Sequence, residues 1–302
     1  MAADAPQSAP VRSPLRRALK FLVVLAVALV IAGYVVSALE NVSSFGGPRL
    51  AVVRIEGVIA DAKETLGELE RYANNPSVPA LVLRIDSPGG AVVPAQEIYD
   101  AVNRLRTKYG KKVVVSMGSV AASGGYYIAA ASDKIVASPG SLTGSIGVIM
   151  EIPNVEGLMK KVGVQSVVIK SGRNKDVGSP FRQMKPEERA LLQAVLDDVH
   201  HQFIEAVAKG RGLDVVDVTR LADGRIFTGR QAQTMGLVDQ LGGLRDAIDE
   251  AAALAKIEGE PEVLESEPGF SFRRLLQSKW FDGGLSRFGL SPAIRLEYRM
   301  AW

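Results

Sequence analysis

The chain contains no cysteine in 302 residues. That excludes disulfides, thiolate metal sites and a cysteine nucleophile together. Histidine is nearly absent too. His200 and His201 stand side by side in a helical pattern. Adjacent helical positions point about 100° apart, so the pair lacks the i, i+4 spacing of a ligand set. It reads as the polar edge of an amphipathic helix. No G-x-G-x-x-G, phosphate loop or Cys/His cluster occurs, so no metal and no cofactor are expected. Aromatic residues make up 6% and the net charge is only +3. Without a basic stripe interleaved with aromatics, nucleic acid is not an expected partner. Apolar residues reach 47% against 23% charged, which excludes bulk disorder.

What is present starts with a long apolar run. From Phe21 to Leu39 no residue is charged. At about 1.5 Å per residue the run spans about 28 Å, close to the hydrocarbon thickness of a bilayer. Arg12, Arg16, Arg17 and Lys20 precede it and Glu40 follows. The positive-inside rule puts residues 1–20 in the cytoplasm and the rest outside. The reading is one transmembrane anchor in a bacterial inner membrane. A cleaved signal peptide is the alternative, with Val36-Ser37-Ala38 as its cleavage site. The apolar core exceeds the usual length for that.

Residues 40–49 read as a linker, and 50–257 as the main domain. Residues 50–60, 80–86 and 111–118 are rich in β-branched residues and predict strands. Residues 61–75 and 94–109 predict helices, so the spacing is α/β with a parallel sheet and crossover helices. Ser87-Pro88-Gly89-Gly90 predicts a sharp turn, and 121–132 a helix opening on small residues. KIVASP (134–139), SIGVIM (145–150) and QSVVIKSG (165–172) predict short strands. Pro186 opens a long helix that stops at Gly210 and Gly212. Leu192, Val195, Leu196, Val199, Phe203 and Val207 hold one face of it. Helices follow around 214–222, 229–236 and 244–256. Residues 258–302 read as an acidic linker and a tail. The tail is either loosely ordered or docked on a neighbouring subunit.

Without metal or histidine base, hydrolysis needs another base. A desolvated lysine supplies one, because burial penalises the ammonium. Its partner would be a serine near oxyanion donors. Ser123 fits, within Ala121-Ala122-Ser123-Gly124-Gly125 at the opening of a helix that follows a buried strand. Free N–H groups and partial positive charge gather there. Asp86-Ser87-Pro88-Gly89-Gly90 offers a second donor loop at the carboxyl end of another buried strand. The plain alternative is that these small residues only allow tight helix–sheet packing.

Three segments carry a resemblance: DSPGG at 86–90, GSVAASGGYYIAAASDKIVASPGSLTGSIGVI at 118–149, and KSGRNKDVGSPFR at 170–182. They closely resemble the signal peptide peptidase A family, membrane-bound bacterial Ser–Lys proteases with the Clp protease/crotonase fold. The resemblance covers about residues 50–250, and the length matches the short, single-domain form. It implies Ser123 as nucleophile, Lys175 as general base and Ser145 as the group that aims the lysine amine. It implies Gly90 and Gly124 as oxyanion donors. Lys170 is the rival base, at a predicted strand end. The resemblance further implies a ring-like homo-oligomer whose dyad is completed between protomers. Its substrates would be remnant signal peptides, other hydrophobic peptides or misfolded proteins at the membrane. The competing readings are an acyl-CoA enzyme of the same fold, a protease acting with stomatin-like partners, and a non-catalytic membrane scaffold.

Overall fold

In the computed structural model the described residues are 49–265, the helical positions Leu25, Val27, Ala28 and Ile31, and the backbone of Glu297–Arg299. The predicted anchor at 21–39 lies almost wholly outside them. Among the described residues no helix is long and apolar enough to cross a membrane. Residues 1–47 and 48–302 are separate compact units. The second carries the described fold.

Chain order begins β1 (Arg49–Glu56), α1 (Lys63–Ala73), β2 (Ala80–Ser87), β3 (Gly89–Ala91), α2 (Val92–Thr107), β4 (Lys112–Ala122) and α3 (Gly124–Ala129). It continues β5 (Lys134–Ala137), β6 (Leu142–Gly144), α4 (Glu156–Val162), α5 (Pro186–Arg211), α6 (Val215–Leu221), β7 (Ile226–Thr228) and α7 (Gly229–Thr234). Last come β8 (Gln240–Leu241), α8 (Leu244–Leu254), β9 (Glu262–Glu265) and β10 (Glu297–Arg299). The main sheet runs β7-β6-β4-β2-β1-β9, with β5 paired to β4 and β8 to β5. All pairs in it are parallel except β6 with β7. The expected α/β class with a mostly parallel sheet is therefore present.

Strand alternation explains why the sheet is covered on both faces. Ala51, Val53, Leu81, Leu83, Val113 and Val115 point into a large core shared with α1, α2 and α3. Leu50, Val52, Val82 and Val114 point into a smaller core closed by Ala247, Ile248 and Ala251 of α8. Each such Leu, Ile or Val contributes about 1.5–3 kcal/mol by leaving water. The polar ends are tied as well. Asp239 accepts from Ile135 N–H at 2.8 Å and from Arg211 at 2.7 Å.

Four local expectations change. Gly89 and Gly90 form strand β3 instead of only turning. The strand expected at 145–150 lies earlier, at β6, because Ser145 takes a positive φ of 51° and ends it. Residues 165–172 are not a strand; Val167 and Ile169 are 84% and 97% exposed, with no neighbouring strand to complete a ladder. The acidic linker contributes β9, whose Glu262 carboxylate accepts from Arg49 at 3.0 Å beside β1.

Candidate active site

The carboxyl ends of β2, β4 and β6 converge on one place. Ala122 of β4 pairs with Gly144 of β6, and Ser123 N–H donates to the Gly144 carbonyl at 2.8 Å. Ser123 and Ser145 thus leave adjacent strand ends together. Both take positive φ, 54° and 51°, an arrangement that costs a non-glycine residue about 1–3 kcal/mol. Ser123 has ψ −118° and is the residue immediately before α3. This is a sharp strand-to-helix turn, the geometry that thrusts a nucleophile out of its backbone. Its Oγ is fully buried and has no hydrogen-bond partner. Such a group is destabilising unless a further group completes the site.

Packing holds the turn in place. The Tyr127 ring lies 4.8 Å from Tyr99 and 5.0 Å from Phe203, which joins α3 to α2 and α5. Tyr126 O–H donates to the Leu237 carbonyl at 2.9 Å. Gly125 sits where a Cβ would meet the Ser87 carbonyl at 3.1 Å. The first N–H groups of α3, beginning at Gly124, open toward the site because a helix leaves them unpaired.

The DSPGG segment builds the opposite wall. Asp86 accepts from Val120 N–H at 3.1 Å, and the buried Ser87 hydroxyl accepts from Gly89 N–H at 3.1 Å. Ile59 then clasps β3 along one edge. Its N–H donates to the Gly89 carbonyl at 2.9 Å, and Ala91 N–H donates back to its carbonyl at 2.8 Å. A Cβ on Gly90 would lie 2.2 Å from the Ile59 carbonyl, so only glycine allows this approach. Beside β3 a cleft of about 540 Å³ is lined by Ala60, Ala91, Val93, Pro94 and Val199 among others.

Lys175 lies elsewhere in character. It sits in an exposed loop, and its backbone N–H donates to the Gly172 carbonyl at 3.2 Å. Within the single chain it makes no hydrogen bond to Ser123. The rival Lys170 is occupied: it donates to the Arg173 carbonyl at 2.9 Å and pairs with Asp176. One buried lysine does have its pKa lowered by burial, Lys111. It opens at the amino end of β4, where Nζ donates to the Asn75 and Val78 carbonyls, far along the strand from Ser123.

With this geometry in place, known proteins were compared. The model of peptidase family S49 matches residues 106–258, and that of Clp protease matches residues 60–142. The chain belongs to peptidase family S49.

This S49 peptidase is 45% identical to a candidate protease of Synechocystis over 75% of its own chain and 82% of the relative. It is 37% identical to a candidate signal peptide peptidase SppA of Enterococcus faecium, over 67% of its chain and 62% of the relative. It is 32% identical to the chloroplastic serine protease SPPA of Arabidopsis thaliana, over 70% of its chain and 33% of the relative. The chain is a serine protease.

Sequence reasoning missed how the peptidase holds its lysine loop. Arg182 donates to both Glu188 oxygens at 2.8 and 2.6 Å and to Asp176 at 3.0 Å. Lys185 N–H donates to Glu188 at 3.0 Å, tying the loop to the first turn of α5. The Arg182 guanidinium and then the Lys185 N–H hold the Glu188 carboxyl down to about 2. Arg182 and then Lys170 hold Asp176 well below the usual carboxylate range. The alternating charges of Lys170, Asp176, Arg182 and Glu188 were the available signal.

Proposed function

We propose that the chain is a membrane-anchored endopeptidase with a Ser123–Lys175 dyad, the apolar run at 21–39 being its anchor. The observation that carries this reading is the buried, unpartnered Ser123 Oγ on a strained turn beside the free N–H groups of α3. Neutral Lys175 takes the Ser123 proton as Oγ attacks a peptide carbonyl. The Gly90 and Gly124 N–H groups hold the oxyanion. The C–N bond breaks as the lysinium returns its proton to the leaving amine. Water, deprotonated by the same amine, then hydrolyses the acyl ester and frees Ser123. Ser145, leaving β6 next to Ser123, aims the amine.

Lysine acts as a base only when desolvated. The exposed position of Lys175 is met if a neighbouring copy supplies it and buries it. The exposed apolar segment Val164, Val167, Val168 and Ile169 favours such a neighbour, as do the half-covered Leu191 and Val195 on α5. The apolar lining of the cleft beside β3 suits hydrophobic segments such as remnant signal peptides. The catalytic domain accordingly comprises residues 50–257.

The test measures hydrolysis of a hydrophobic peptide by detergent-solubilised protein. Ser123→Ala and Lys175→Ala should each be inactive, and mixing them under subunit exchange should restore activity. Full activity in either variant would sink the dyad.

A further inference from the structure

The described tail does not stand free. Glu297–Arg299 pairs antiparallel with Gly89–Ala91 of the same chain, with Tyr298 opposite Gly90, Glu297 opposite Ala91 and Arg299 opposite Gly89. The edge of β3 that it uses follows from the clasp on the other side. Gly89 C=O and Ala91 N–H are engaged by Ile59. Successive residues of a strand present their N–H and C=O groups to opposite edges. Gly90 therefore presents both its groups to the edge that β10 occupies. That N–H is the one assigned above to the oxyanion. β10 also contacts α3, the helix that Ser123 opens.

We propose that the C-terminal segment of this chain occupies the substrate strand of its own active site. Tyr298 lies where the substrate residue preceding the scissile bond would lie, so tail and substrate compete for one edge. An extended peptide joining an open strand edge gains its affinity from main-chain hydrogen bonds, which the tail supplies regardless of side chain. The competition is intramolecular, so the tail acts at an effective concentration set by its tether and not by the amount of enzyme. The inference rests on the peptidase reading of the same site.

The experiment uses the full chain in detergent and three variants. Tyr298→Pro removes the N–H that meets the Gly90 carbonyl. A chain ending at Leu296 removes the strand altogether. Ser123→Ala controls for the activity itself. With a hydrophobic peptide substrate, Tyr298→Pro and the shortened chain should each lower KM about fivefold with kcat little changed. A synthetic peptide covering residues 295–302 should inhibit the shortened chain competitively. In the Ser123→Ala background, where no hydrolysis intervenes, Tyr298→Pro should tighten binding of the fluorescent peptide by the same factor. Unchanged KM and unchanged peptide affinity in both tail variants would overturn the competition while Ser123-dependent hydrolysis leaves the peptidase reading intact. Hydrolysis that survives Ser123→Ala in every form would overturn the peptidase reading instead.

Discussion

The Ser123 turn and the Lys175 loop contrast in almost every physical respect. The first is buried, held by two parallel strands, an aromatic contact on either side and a glycine wall. It carries backbone strain that only the surrounding core can sustain. The second lies in solvent, outside the sheet, and is fixed by charge pairs to the start of α5. One half of the proposed dyad is thus completed by the fold of a single chain. The other half is positioned but not desolvated, and desolvation is what makes lysine a base.

That contrast yields expectations of decreasing size. Lys175→Ala should reduce kcat/KM by about 10⁴-fold or more, as Ser123→Ala does, because residues acting as one unit lose activity together. Its Tm should not move, since the side chain is exposed. A lower Tm would show that the loop is part of the core after all. Gly90→Ala should reduce kcat/KM by about 10²–10³-fold, the scale of losing one oxyanion donor. Circular dichroism should still report a folded sheet, with a lower Tm from displacement of Ile59. Wild-type activity there would remove Gly90 from the site.

Arg182→Ala should cost about 10²-fold in kcat/KM, because small misplacements of a catalytic group cost that much. Ser123→Ala should leave the Tm unaffected by this substitution's cause, whereas Arg182→Ala should lower it by unpairing Glu188. Ser123→Gly should be more stable than Ser123→Ala by about 1 kcal/mol in urea titration, since glycine tolerates positive φ. Equal stabilities would mean the turn is not strained.

The smallest effect concerns pH. Glu188 has its pKa lowered from 4.5 to about 2. Its contribution is present above the unfolded value and is lost as pH falls from about 4.5 through 2. Tm measured against pH should fall over that window, and Glu188→Gln should flatten the fall. Identical curves would show that the pair does not hold the loop.

The strands β1, β2 and β4 were legible because their apolar runs have no other use in so short a length. The helix at Pro186–Arg211 was legible from its proline, its first-turn acids and its closing glycine. Ser123 was legible as a candidate from its small neighbours, and the family resemblance raised it above simple packing. The failures have a common cause. VVIK looks like a strand by composition, but a strand exists only where another strand offers hydrogen bonds. Residues 262–265 look like linker by composition, yet the open edge of β1 makes them β9. Glycines that read as a turn became β3 because Ile59 approaches them so closely.

The sequence alone determined the absence of thiol chemistry, the apolar run at 21–39, the α/β alternation and the candidate pair Ser123 and Lys175. It did so because those properties reside in residue type, run length and local spacing. Only the tertiary structure decided that Ser123 and Ser145 leave adjacent strands with positive φ. Only it decided that Lys170 is engaged by Asp176, and that the tail takes the open edge of Gly90. These depend on which distant segments become neighbours, and no local pattern encodes that. The Ser123 turn is made by the core around it, while the Lys175 loop awaits a surface that this chain alone does not provide.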